Sequence, residues 1–123
     1  LAGGGQNGSQ SSATEEYNGS SWSTVNARPY GAGSAMASGT QTAALNYGGN
    51  PSLNLTTTAS YDGTNWSAEG NMATGRSMGG GSPAGTSGSA LASTGSSSTA
   101  TEEWTGGSPA SPTGAGASTI TTS

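Results

Sequence analysis

Two pairs of adjacent carboxylates are the residues of this chain that most resemble acid–base chemistry. Glu15–Glu16 and Glu102–Glu103 each follow an Ala-Thr dipeptide. Two carboxylates that face each other can divide the roles of acid and base between them. Adjacent side chains of a β-strand point to opposite faces of the sheet, so neighbours in sequence do not form a facing pair. We therefore predict that one glutamate of each pair lies on a solvated face, where its charge also discourages edge pairing.

The composition removes most other catalytic and ligand-binding groups. The chain contains no His and no Cys, which excludes the usual base near neutral pH, thiolate metal ligands and disulfides. Asp62 and Asn18 stand at matching places, but no acidic loop supplies the roughly six to eight oxygens that Ca²⁺ prefers. We predict that both residues serve in turns. The sequence thus favours a protein that is not an enzyme and has no cofactor or metal.

The charge balance limits the possible partners. The net charge is −4, and the only cations are Arg28 and Arg76. Nucleic acid is an unfavourable partner, because phosphate binding needs clustered cations. No apolar run approaches the roughly 20 residues that span a bilayer, so membrane insertion is not expected. The chain begins at Leu1 without a signal peptide, which suggests a piece of a longer or processed protein. We expect the arginines to bond carbonyls or a glutamate of a neighbouring unit; contact with an acidic ligand is the alternative.

Sequence landmarks recur along a chain whose 28% hydrophobic content alone would predict disorder. A Leu-x-x-Gly-Gly-like element begins at Leu1, Leu45 and Leu91, and a glycine cluster occurs at 31–33, 79–81 and 114–116. Periods of about 20–50 residues indicate propellers, solenoids or other arrays. We predict one repeat domain with units 1–44, 45–90 and 91–123. The residues taken as structural landmarks are Leu1, Gly4, Gly5, Tyr17, Trp22, Leu45, Gly48, Gly49, Tyr61, Trp66, Leu91 and Trp104.

Each unit has the pattern of short strands. Segments rich in Thr and aromatic residues end at Asn18-Gly19 and Asp62-Gly63, which are strong hairpin signals. No segment shows a sustained helical period. The sequence predicts an all-β fold whose core consists mainly of the Trp and Tyr side chains, since one aromatic buries about 150–250 Å². Tyr30 and Tyr47 do not lie at repeated aromatic positions. We expect these two to be exposed and, with Arg28 and Arg76, to be the candidate ligand contacts.

The ordered landmarks resemble the kelch repeat. The second unit reads Leu45-Asn46-Tyr47-Gly48-Gly49, Tyr61-Asp62-Gly63, Trp66, Arg76, and the first matches at Tyr17, Trp22 and Arg28. The wording ATEEYNGSSW with QTAALNYGG is similar to kelch-like proteins encoded by phages of marine and freshwater bacteria.

This resemblance implies β-propeller blades of four short strands each. Propellers have about four to eight blades, so three units imply completion in an assembly. The strand expected at 119–122 would complete the sheet opened by Leu1, within one chain or between neighbours. The alternatives are a threefold β-prism or β-trefoil, or units stacked into a fibre.

The resemblance also implies a non-enzymatic extracellular module, such as a phage tail-fibre or virion-surface protein that attaches to a host. Its expected partners are further copies of itself and a host-surface glycan or protein. A subunit of a helical filament or pilus-like fibre and a lectin-like sugar binder are the alternatives. Four Asn-x-Ser/Thr sequons are candidate glycosylation sites, although such sequons arise freely in an Asn/Ser/Thr-rich chain. They begin at Asn7, Asn18, Asn54 and Asn65.

Overall fold

The computed structural model describes residues 1–50, 53–81, 86–96, 99–105 and 118–119. These residues form ten short strands and no helix, which confirms the predicted all-β class. The strands are β1 (Ala2–Gly3), β2 (Thr14–Tyr17), β3 (Trp22–Val25), β4 (Met36–Thr40), β5 (Ala43–Tyr47), β6 (Thr58–Tyr61), β7 (Trp66–Glu69), β8 (Ala90–Ser93), β9 (Thr101–Trp104) and β10 (Ser118–Thr119).

The strands form three antiparallel sheets. The first sheet has the order β1-β2-β3, the second has the order β4-β5-β6-β7, and the third has the order β10-β9-β8. One pairing register recurs in all three, at Ala2↔Glu15, Asn46↔Ala59 and Ala92↔Glu102. Side chains of a strand alternate between the two faces of its sheet. Because the register is shared, matching residues lie on the corresponding face of each of the three sheets.

The predicted hairpin turns are confirmed. Oδ1 of Asn18 accepts the N–H groups of Ser20 and Ser21 at 2.9 and 3.0 Å. Oδ1 of Asp62 accepts those of Asn65 and Thr64 at 2.7 and 2.8 Å, and these two bonds lower the pKa of the Asp62 carboxyl. The following glycines have φ angles of 100° and 96°, which residues with a Cβ rarely adopt.

Loop hydrogen bonds also recur along the chain. Gly4 N–H donates to Ala13 at 2.8 Å, and 44 residues further on Gly48 N–H donates to Thr57 at 2.9 Å. Bonds between neighbouring sheets follow the same scheme: Asn50 N–H donates to Gly33 at 2.7 Å, and Ser96 N–H donates to Ser77 at 2.8 Å. The backbone itself therefore joins each sheet to the next.

These bonds correct the proposed alignment of the two arginines. Arg28 N–H donates to Ser12, and at the matching place Met72 N–H donates to Thr56, both at 2.9 Å. Arg28 therefore corresponds to Met72, and Arg76 corresponds to Ala32. The sequence alignment of Arg28 with Arg76 was wrong by four residues, because it matched residue type while the loop bonds fix position.

A hydrophobic cluster of buried residues lies between the second and third sheets. Tyr47 and Trp104 are 2% and 6% exposed there, and Tyr61 is buried on the opposite face of the second sheet, against the first sheet. The predicted aromatic core is thus present in part, since Tyr17 and Trp22 are exposed. The expectation that Tyr47 is exposed was wrong: its hydroxyl donates to Leu91 O and contacts Oγ of Ser38, both at 3.0 Å. The cluster comprises Met36, Leu45, Tyr47, Met72, Ala90, Ala92 and Trp104.

The C-terminal strand lies in the third sheet. Ser118 and Thr119 of β10 pair with Glu103 and Glu102 of β9, whereas the strand predicted at 119–122 was expected to complete the sheet opened by Leu1, within one chain or between neighbours. Closure within one chain is therefore wrong at Thr119, while closure between neighbours stays a prediction. Residues 120–122 lie outside the described residues. In the second sheet, β7 occupies the matching place beside β6.

Gly49 and Gly5 provide a matched test of how tightly the sheets are joined. Their φ angles are 109° and 113°, but a Cβ on Gly49 would lie 2.9 Å from Ala32 Cβ and Gly33 O, whereas nothing lies within 4 Å at Gly5. We expect Gly5→Ala to cost roughly 1–2 kcal/mol from backbone strain. Gly49→Ala should cost about 1–3 kcal/mol more from overpacking. Urea unfolding of both variants measures this; equal losses would contradict a tight junction.

Candidate functional site

The junction between the second and third sheets is held by a buried ion pair. Arg76 is 0% exposed, and its Nη2 donates to Oε2 of Glu102, which is 4% exposed. Nη1 of Arg76 also donates to the carbonyl oxygens of Ala92, Thr94 and Ala100 at 3.3, 3.2 and 2.6 Å. The Glu102 carboxylate accepts the N–H groups of residues 73 and 74 at 2.7 and 3.2 Å. Both charges are therefore compensated by several polar partners, as buried ions require.

The junction between the first and second sheets uses neutral donors and one unpaired cation. The Tyr61 hydroxyl donates to Oε1 of Glu16 at 2.8 Å, and Trp66 Nε1 donates to Oγ1 of Thr14 at 3.0 Å. The Arg28 guanidinium lies 5.8 Å from the centre of the Trp66 ring, within reach of a cation–π interaction. Its Nε and Nη1 atoms are buried without a hydrogen-bond partner, and burial lowers its pKa to about 10.

Only one of the two arginines matches the structural expectation derived from sequence. Arg76 bonds carbonyl groups and the glutamate of the neighbouring sheet, as predicted. Arg28 is 4% exposed and lies against Trp66. Burial removes both guanidinium groups from contact with an external ligand, so the structure does not bring Arg28, Arg76, Tyr30 and Tyr47 together as a surface site.

The glutamate pairs split between faces as strand geometry requires, and the more exposed member is the first residue of one pair and the second residue of the other. Glu15 is exposed, while Glu16 is partly buried and accepts the Tyr61 hydroxyl. In the other pair Glu102 is the buried member and Glu103 is partly exposed. The position that is solvated in the first sheet is buried in the third, since a neighbouring sheet covers it there. Sequence reasoning missed this role of Glu102, because nothing local to the pair signals the distant Arg76.

The remaining candidate residues lie apart from one another. Tyr30 is partly exposed. Three sequon asparagines, Asn7, Asn18 and Asn65, are exposed, and Asn54 is partly buried with its side chain accepting the Ser77 hydroxyl at 3.1 Å. Their glycosylation stays a prediction.

The most exposed aromatic surface is the pair Tyr17 and Trp22, which face each other across the first hairpin. These side chains are 44% and 56% exposed, and their ring centroids lie 5.2 Å apart at an interplanar angle of 39°. The Tyr61–Trp66 pair of the second sheet has nearly the same geometry, at 5.0 Å and 38°. The second pair is covered by the first sheet, whereas the first pair is open to solvent.

Two concave regions accompany these junctions. A cavity of about 10 Å³ lies between the second and third sheets, among Tyr47, Met72 and Trp104. It is far smaller than the roughly 300–1,000 Å³ of ligand pockets. A groove of about 290 Å³ runs from Leu1 along β4 to Ala44, and its lining residues include no ionisable side chain. Neither region has the convergent charged groups of an active site.

Within the described ranges, no three acidic side chains are grouped closely enough to hold a metal ion. The same residues contain no helix of the length and apolar character needed to cross a membrane. Comparison with protein-family models and with curated proteins finds no match to this chain. The arrangement consists of two polar side-chain junctions and one exposed aromatic pair, and it can join sheets and present a stacking surface.

The two arginines should differ sharply in their effect on stability. Arg76→Met leaves Glu102 buried without its cation, and breaking a buried pair costs about 3–5 kcal/mol. Arg28→Met removes a cation with two unpaired nitrogens, and Met72 already occupies the matching position in the second sheet. We expect this change to alter the free energy of unfolding by less than about 1 kcal/mol. Urea unfolding compares the variants.

The double variant Arg76→Met, Glu102→Met is the control for the ion pair. Replacing both buried charges by apolar groups removes the uncompensated carboxylate, so part of the stability should return. An Arg76→Met variant as stable as Arg28→Met would contradict the assigned role of the ion pair.

Tyr61 should make stability depend on alkaline pH. The pKa of Tyr61 is raised to about 12 from its usual value of 10.0, mainly by burial and to a smaller extent by the hydrogen bond to Glu16. Because the folded pKa exceeds the unfolded value, the contribution is complete below pH 10 and is lost as the pH rises through about 12. We expect the stability difference between wild type and Tyr61→Phe to shrink across this window in equilibrium unfolding. Arg28 titrates in both proteins, so its effect cancels when their stabilities are compared. A stability difference that stays constant across this pH window would contradict the prediction.

Proposed function

We propose that the chain is a non-enzymatic structural and binding module built from kelch-like, propeller-type blades. The observation that carries this proposal is the second sheet, whose four strands are antiparallel and follow chain order from β4 to β7. Propeller blades are four-stranded sheets, so the second sheet supports this proposal. The recurring register and the side-chain junctions on both sides of this sheet support the same interpretation.

The module is completed by assembly. Propellers have about four to eight blades, and the described residues form three sheets. In the second sheet β4 pairs with β5, but among the described residues no strand occupies the matching place beside β1. The groove from Leu1 along β4 adjoins this open edge. An additional segment of chain would pair the edge, which otherwise presents unpaired backbone groups.

The proposed setting is extracellular, on a virion surface or tail fibre that contacts a host glycan or protein. The resemblance to kelch-like phage proteins supplies this context. The chain contains no Lys and only two Arg, so tryptic sites are few, and the junctions hold both cations inside. The competing role is a subunit of an extracellular filament. In that role the open β1 edge pairs with a strand of the next chain, and repetition of this contact builds a helical filament.

A lectin-like role is a second candidate because of one specific observation, the exposed Tyr17–Trp22 pair. Aromatic faces of this kind stack on apolar faces of ligands while their polar edges remain hydrated. Tyr47 is buried, so it is removed from the candidate sugar contacts, which also included Tyr30 and the Trp residues.

Binding of the fluorescently labelled chain to intact bacterial cells and to a glycan microarray tests the proposed function. We expect saturable binding to cells of some aquatic species, and electron microscopy should show closed particles. The heat-unfolded chain is the control, since linear epitopes would survive unfolding. Helical polymers without cell binding would overturn the attachment role in favour of the filament role. Turnover of any arrayed glycan would overturn the non-enzymatic assignment.

A further inference from the structure

The junction between the first two sheets shows how this chain receives a Tyr–Trp pair. Thr14 and Glu16 lie on the face of β2 that meets the second sheet. There Thr14 Oγ1 accepts Trp66 Nε1 at 3.0 Å, and Glu16 Oε1 accepts the Tyr61 hydroxyl at 2.8 Å. The acceptors are thus a Thr and a Glu two residues apart on one strand face.

The outward face of the third sheet carries the same two acceptors. The shared register places Thr101 where Thr14 stands and Glu103 where Glu16 stands. Both are partly exposed and lie on the face opposite to Glu102 and Trp104, which are buried against the second sheet. The second sheet has Thr58 and Ser60 at these places, so the Thr–Glu combination belongs to the first and third sheets.

The outward face of the first sheet carries the matching donors. Tyr17 and Trp22 stand where Tyr61 and Trp66 stand in the second sheet, with ring separations of 5.2 and 5.0 Å. Unlike the second pair, they are 44% and 56% exposed. Among the described residues, unpartnered donors therefore lie at one end of the row of sheets and matching acceptors lie at the other.

We propose that a second copy of the chain docks head to tail, with the Tyr17–Trp22 face of one copy on the Thr101–Glu103 face of the next. Trp22 Nε1 donates to Oγ1 of Thr101, and the Tyr17 hydroxyl donates to the Glu103 carboxylate, as in the internal junction. The inference rests on the proposed function, because it names the partner that completes the module. A second copy fits better than a sugar, because the complementary face is present on the same chain in the same spacing.

Sedimentation velocity across a concentration series tests this contact with two single variants. Trp22→Asp removes the donor face, and Glu103→Arg removes the acceptor face. The wild type should form species of at least twice the 11.7 kDa chain mass, while each variant alone should remain monomeric. Both side chains are solvent-accessible, so circular dichroism should show an unchanged fold. Leu53→Asp is the control. Leu53 is 70% exposed and lies outside the strands that form the two faces, so this variant should associate like the wild type.

Mixing the two variants distinguishes a head-to-tail contact from a symmetric one. Each variant keeps one intact face, so the mixture should form a heterodimer that neither variant forms alone. A Glu103→Arg variant that self-associates like the wild type would overturn the proposal, since the aromatic faces would then pair with each other. A monomeric wild type would also overturn it. If that monomer binds arrayed glycans and Trp22→Asp does not, the aromatic pair is a sugar site.

Cell binding separates failure of this contact from failure of the proposed function. Wild-type protein that binds cells as a monomer would overturn the head-to-tail contact and leave the attachment role intact. Head-to-tail association without cell binding would support the contact and overturn the attachment role.

Discussion

The scarcity of large apolar side chains is the constraint on which the rest of this structure depends. With 28% hydrophobic residues and no Phe, the chain cannot join three sheets by apolar burial alone. Polar contacts therefore help to stabilise both junctions, through Arg76–Glu102 at one and Tyr61–Glu16 at the other. Such contacts are directional, so they fix how neighbouring sheets align as well as holding them together.

Directional junctions explain which features the sequence could predict. The hairpins at Asn18-Gly19 and Asp62-Gly63 were predictable, because turn residues and strands lie within a few positions of each other. The burial of Glu102 and Tyr47 was not, because it depends on partners 26 and 44 residues away. The pattern of alternation placed the two glutamates of each pair on opposite faces, but it could not show which face a neighbouring sheet covers.

The arginines show the limit of matching residues by type. Arg28 and Arg76 look equivalent in sequence, yet the loop hydrogen bonds place Arg28 with Met72. The two cations also differ in environment: one has an anion and three carbonyls, and the other lies against an indole with two nitrogens unpaired. Backbone bonds persist through substitution of side chains, so they are the better guide to equivalence.

The same constraint bears on the ends of the row of sheets. In the second sheet, the Tyr–Trp pair is covered by the polar face of the first sheet. In the first sheet, Tyr17 and Trp22 are open to solvent. Large exposed aromatics are unusual in a chain with so few of them, and exposed apolar surface tends to mark an interaction site. The junction between the first two sheets is a donor face on an acceptor face, and the two outward faces repeat these groups, so the two ends are complementary rather than alike. Complementary ends favour heterologous contacts, which close into rings or extend into fibres according to the rotation between copies.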